Sequence, residues 1–181
     1  MIKKTRIKEY VNIVKKMNKV KQDGRVFMVA RDIVENKVYF CNGHVVLSVP
    51  VSVYDQMIET GEKVLEVNQR DSAMIANAIE SAKKEDMTNA RIIPFMHNIY
   101  NGVANILKSV NSANETAFTL VNNIYCEMLE TVSNGCGELL VARRAPEKSP
   151  VLTSDIYGVS FLALPIHNND LTETVKMAFD L

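Results

Sequence analysis

Lys4, Lys8, Lys15 and Lys19 are spaced i, i+4, i+11 and i+15. On a helix turning about 100° per residue they fall within roughly 60° of one another, and Arg25 lies just beyond. A row of cations like this can hold the phosphates of a nucleic acid, a contact that does not read sequence and weakens as salt rises. It is equally the pattern of a solvated helix face, so both readings stand. Arg31, Arg143 and Arg144 follow strand candidates and read either as further phosphate contacts or as solvated strand ends.

The remaining chemistry-bearing residues are sparse. His44, His97 and His167 show neither HxxxH nor HExxH spacing, so no helical metal pair is expected. His44 lies in "FCNGHVVLSVP", directly after Asn42-Gly43. As a general base it needs a partner, and none is near in sequence. A structural histidine beside a turn is the competing reading. Cys41, Cys126 and Cys136 form no CxxC pair, which points to reduced thiols rather than a zinc site or disulfides. Cys126 reads as core. There is no GxGxxG, P-loop or GxSxG. The expectation is a non-enzyme with no cofactor and no metal. An enzyme in which His44, His97 and Asp155 converge is the outlying alternative.

Bulk composition fits that expectation. The chain has 181 residues, with Lys+Arg and Asp+Glu balanced at 21 each, so any basic footprint must be local. At 47% hydrophobic residues it has enough for a packed core. "MIKKTRIKEY" has charge but no apolar h-region, and no apolar run is long enough for a membrane span. A cytoplasmic location is the default expectation.

These residues need elements to position them. Residues 4–20 have helical period, with Ile7, Tyr10, Val11, Val14 and Met17 on one face. Strand candidates follow at 26–30, 38–41 and 45–49, with Asn36 in the first turn. Asn42-Gly43 suits a type I′ turn, in which both central residues have φ > 0. Pro50 stops the third strand. In the middle, 63–67 reads as a weak strand. Asn68 or Asp71 reads as the cap of a helix to about Lys84, with Ile75, Ala78, Ile79 and Ala82 buried. Strands are expected at 90–94 and 103–110, and a loop at 110–116. A strand at 117–121 leads to a helix over 124–133, capped by Asn122 or Asn123 and ended by Gly135 and Gly137. Strands at 138–142, 151–153 and 159–164 complete the chain.

The order helix, strand, strand, strand thus occurs twice. Met28-Val29-Ala30-Arg31-Asp32 aligns with Leu140-Val141-Ala142-Arg143-Arg144, and Val49-Pro50-Val51 with Leu164-Pro165-Ile166. On this alignment the counterpart of the Asn42 turn is Asp155-Ile156-Tyr157. An internal repeat of this kind predicts an α+β fold with helices on one face of antiparallel sheets.

"VNNIYCEMLETV", "GELLVARRAPEKSPVLTS", "GVSFLALPI" and "CNGHVVLSVP" together resemble the half-units of DNA sliding clamps, of the kind found in the beta subunit of bacterial DNA polymerase III. The resemblance covers about 5–50 and 116–166. It implies a DNA-clamp-like fold made of repeated helix-plus-three-strand half-units. The first half-unit is at about 4–50, a poorly matched middle at 51–115, the last half-unit at 116–166 and a tail at 167–181. These form either one clamp-like domain or two fused small units.

The turn motif is Asn42, Gly43, His44, with Asn42 where the family has Asp and Val45 where it has Arg. The resemblance further implies a non-catalytic processivity or DNA-tethering factor, as expected of a phage or mobile element. Lys4, Lys8, Lys15, Lys19 and Arg25 would meet double-stranded DNA through its phosphates. Replication proteins would be partners, and homo-oligomers would close the ring. A clamp-fold interaction module without DNA binding is the alternative. In the tail, Leu171, Val175, Met177 and Phe179 either dock on their own domain or on a neighbouring subunit.

Overall fold

A computed structural model of the chain describes residues 2–20, 26–69, 72–99, 102–134 and 138–166. The first helix, α1 (Lys4–Lys19), buries Ile7, Tyr10, Val11, Val14 and Met17 as its period requires, and adds Ile13 and Arg6. Then come β1 (Met28–Asp32), β2 (Lys37–Cys41) and β3 (Val45–Pro50), paired in order and antiparallel. Asn36 takes φ 52 in the first turn, a conformation asparagine tolerates. Asp32 Oδ1 accepts the N–H of Val34 and of Glu35 there.

The middle differs most from the sequence reading. Pro50 ends β3 and also precedes a helix, α2 (Val51–Ile58), whose Val51, Val53, Tyr54 and Met57 are buried. The weak strand expected at 63–67 is instead a single 3-10 turn, Lys63–Leu65, with Leu65 fully buried. The next helix, α3 (Ala73–Lys83), buries Ile75, Ala76, Ile79 and Ala82, while Ala78 faces solvent. Its cap position is Ser72, without a side-chain cap bond, and Asn68 bonds to β1 instead.

β4 (Met87–Ile99) is longer than expected. Its first part pairs with β7 (Leu139–Ala142) and its second with β5 (Gly102–Val110). The register shifts between Ile93 and Met96, around Pro94, where a missing N–H is tolerated. β6 (Thr116–Asn122) leads into α4 (Asn123–Ser133), and β8 (Val151–Ser154) and β9 (Ser160–Ala163) are the last elements among the described residues. Asn122 is the cap of α4, accepting the Ile124 N–H at 3.1 Å, and Asn134 ends the helix at φ 61. The expected stops Gly135 and Gly137, like the tail 167–181, lie outside the described residues.

The result is α+β, with four helices among the described residues and one antiparallel nine-stranded sheet, ordered β1-β2-β3-β9-β8-β7-β4-β5-β6. Strand alternation divides the core. Val38 and Phe40 of β2 face α1, α2 and α4, whereas Tyr39 and Cys41 face α3. Helices therefore cover both faces, not one as the repeat predicted. The cause is α3, whose apolar stripe needs a surface of its own and finds it on Ala30, Val46, Leu152 and Leu162.

Candidate nucleic-acid interface

α1 lies with its apolar face on the sheet and turns its lysines outward. Lys4, Lys8 and Lys19 are exposed, and no described carboxylate lies within ion-pair distance of them. Lys15 is half-buried and bonds Glu62 Oε1 at 2.5 Å. Lys16, just outside the predicted row, reaches Glu127 of α4 at 3.4 Å. Arg25 lies outside the described residues. The row thus divides into three uncompensated cations and one neutralised by its neighbour. α4 contributes exposed Glu127 and Glu130 beside it, so that helix does not extend the basic row of α1.

The Asn42 turn is built differently from the expected type I′ hairpin. Only Gly43 has positive φ, at 87°, and the loop spans three residues. Asn42 is fully buried and supplies the order itself. Its Oδ1 accepts the N–H of His44 and of Val45, and its Nδ2 donates to the carbonyl of Met17, in the last turn of α1. A side chain that mimics a backbone turn removes the need for a second left-handed residue. His44 stacks its ring on Tyr125 of α4, centroids 6.5 Å apart, and its carbonyl accepts the Leu164 N–H. It is placed to tie β3 to α4 and the end of β9.

The β8–β9 turn repeats this arrangement. Asp155 Oδ1 accepts the N–H of Tyr157 and of Val159, and Asp155 N–H donates to the Val159 carbonyl. Its Oδ2 accepts from the Tyr10 hydroxyl and from Arg6 Nη2. Arg6 spends its other donors on the Tyr10 hydroxyl, on Glu9 and on the carbonyls of Thr131 and Val132, in the last turn of α4. Burial, then the bond to Asp155, pushes the Tyr10 phenol well above its ordinary range. The flanking carboxylates of Glu9 and Asp155 raise Arg6 against the opposing effect of burial.

Sequence reasoning missed Arg6. Its only signal is its place beside Ile7 and four residues before Tyr10, on the apolar side of an otherwise lysine-edged helix.

An open groove of about 610 Å³ runs past this cluster, lined by Lys3, Thr5, Glu9, Asn134, Ile156 and Tyr157 among others. Arg6 and Asp155 also line it, with their polar atoms engaged by one another, Tyr10, Glu9, the β8–β9 turn and the α4 carbonyls. Of the residues in the outlying enzyme reading, Asp155 is committed to Arg6, Tyr10 and its turn. His97 sits in β4 opposite Ala104, and His44 packs on Tyr125. Among the described residues no group of His, Cys, Asp and Glu is placed to hold a metal ion. Cys126 is buried, and burial lifts its thiol to about 12, so it is core rather than nucleophile. Among the described residues no helix is long and apolar enough to cross a membrane.

Comparison of the chain with family models, with curated proteins and with solved structures gives no match.

Proposed function

We propose that the chain is a non-catalytic, clamp-like DNA-tethering protein that holds duplex DNA by its phosphates along α1. The observation that carries this reading is the pairing of two runs of one helix and three strands. β1-β2-β3 and β7-β8-β9 meet at the β3–β9 seam, where Val46 lies opposite Leu162. In each run the turn before the last strand is held by an Asx side chain: Asn42 also donates to the end of α1, and Asp155 accepts from Arg6, which donates to the end of α4. The same economy in both halves supports a repeated half-unit. With Lys4, Lys8 and Lys19 exposed on one helix, a phosphate-holding role is its natural use. Replication proteins as partners and closure of a ring by several copies belong to the same reading.

A second reading, an interaction module without DNA binding, draws support from Glu62, Glu127 and Glu130 around the row. Titration of a fluorescent duplex in rising salt separates them. The first expects binding that weakens steeply with salt and is lost in Lys4→Glu/Lys8→Glu/Lys19→Glu. Absence of binding at low salt, or binding that the triple variant retains, overturns it.

A further inference from the structure

β1 is an edge strand, and an unprotected edge offers its main-chain groups to any other strand. Alternate residues of a strand turn those groups to the same side, so Phe27, Val29 and Arg31 face away from β2. That side is already taken. Val29 N–H donates to Asn68 Oδ1 at 2.8 Å, and the Val29 carbonyl accepts the N–H of Asn68 and of Gln69. Asn68 Nδ2 donates to the Phe27 carbonyl at 3.0 Å, and Gln69 forms a parallel bridge with Ala30. One asparagine, by side chain and backbone, thus occupies the rungs that an incoming strand would use. The segment is anchored just upstream, where Leu65 is fully buried and its carbonyl accepts the Tyr54 hydroxyl.

We propose that residues 66–69 are an autoinhibitory edge cap, held by Asn68, which keeps β1 from pairing with a strand of a second copy of this chain. Backbone rungs carry no side-chain specificity, so the competitor is whichever strand is most concentrated, and in a solution of the protein that is another copy. The cap does not depend on DNA. It sets a condition on assembly: an edge-to-edge contact through β1 first requires this segment to leave.

The test is the mass of the full chain by light scattering over a concentration series, without DNA. Asn68→Ala should raise the mass about twofold, to that of a dimer, at concentrations where the wild type is unchanged. Asn68→Asp keeps the Oδ1 acceptor but loses the donor to Phe27, so it should shift the mass less. It carries the test if Asn68→Ala loses the native circular dichroism spectrum. Arg31→Pro removes an outward N–H without costing a bond to β2, and added to either variant it should restore the wild-type mass. Equal mass for the wild type and the Asn68 variants overturns the proposal, as does a gain in mass that Arg31→Pro leaves untouched. DNA binding enters neither outcome, so failure here is distinguishable from failure of the tethering function.

Discussion

Asn42 and Asp155 perform the same task in opposite halves of the fold, by different chemistry. Each uses Oδ1 to organise the turn before the strand that enters the β3–β9 seam. Each also serves the C-terminal carbonyls of the helix that begins its run. Asn42 does so directly, because an amide has a donor. Asp155 has none when ionised, and reaches the carbonyls of α4 through Arg6, borrowed from α1. α1 is thereby locked to α4.

Asn42→Ala removes two accepted bonds and one donated bond from a fully buried site, and should cost about 3 kcal/mol in urea unfolding. Asn42→Asp is the sharper test. It keeps Oδ1 but sets a carboxylate against the Met17 carbonyl with no arginine to bridge them. Burial raises the pKa of such a carboxyl, so the loss should be full at neutral pH. It should shrink as acid protonates the group and restores a donor. A loss independent of pH would show that the Nδ2 bond to Met17 is not what Asn42 is needed for.

Arg6→Met strands the Asp155 carboxylate, whose side chain is only 4% exposed, and should cost about 3–5 kcal/mol. Asp155→Asn keeps the turn acceptor and removes the charge. In the double variant the losses should fall short of their sum by about 1–3 kcal/mol, the signature of a coupled pair. Strict additivity in the cycle would mean that Arg6 acts on the α4 carbonyls alone.

Much of this arrangement was legible in the sequence in outline. The two helix–strand–strand–strand runs, the buried stripes of α1 and most of the strand positions follow from period and from turn residues. The Asn42–Asp155 correspondence follows from aligning the two runs. What was hidden depends on contacts distant in the chain. Pro50 announces the end of β3 but not the helix after it, because α2 is set by Val51, Tyr54 and Met57 finding a shared surface. Asn68 looks like a helix cap until β1 lies beside it. The ion pair between Lys15 and Glu62 joins elements 47 residues apart, and no spacing rule announces it.

Glycine substitutions separate strain from crowding. Gly61 and Gly158 have φ of 74° and 77°, so alanine is strained at both. At Gly61 the new Cβ meets nothing within 4 Å, and Gly61→Ala should cost about 1 kcal/mol. At Gly158 it lies 3.3 Å from Pro50 Cγ, so Gly158→Ala should cost more and should disturb the β8–β9 turn. Thermal unfolding of the two variants side by side ranks them, and a greater loss at Gly61 would contradict the crowding at Pro50.

Stability should fall in alkali. Tyr10, Tyr39 and Tyr54 all have phenol pKa values raised by burial, Tyr39 to about 12. A raised phenol pKa means the folded state holds its proton more tightly than the unfolded chain. The contribution is therefore complete below the unfolded value near 10 and is lost as pH rises through the folded one. Each such group adds a slope of about 1.4 kcal/mol per pH unit above pH 10. Tyr10→Phe should reduce that slope by one group's share, as read from urea midpoints against pH. An unchanged slope would remove Tyr10 from the account.

The four lysines of the row are not equivalent, and this gives the DNA-tethering proposal its most discriminating test. Lys4, Lys8 and Lys19 stand clear of any described carboxylate, whereas Lys15 already spends its charge on Glu62. If the three exposed lysines each neutralise one phosphate, log affinity against log salt should have a slope of about −2.7, at about −0.9 per contact. Lys8→Glu should flatten that slope by about one contact. Lys15→Glu should leave the slope nearly unchanged. Its penalty should appear as a small loss of stability instead, from two facing carboxylates at a partly exposed site. An equal effect of all four substitutions on the slope would mean that overall charge, and not the geometry of α1, governs binding.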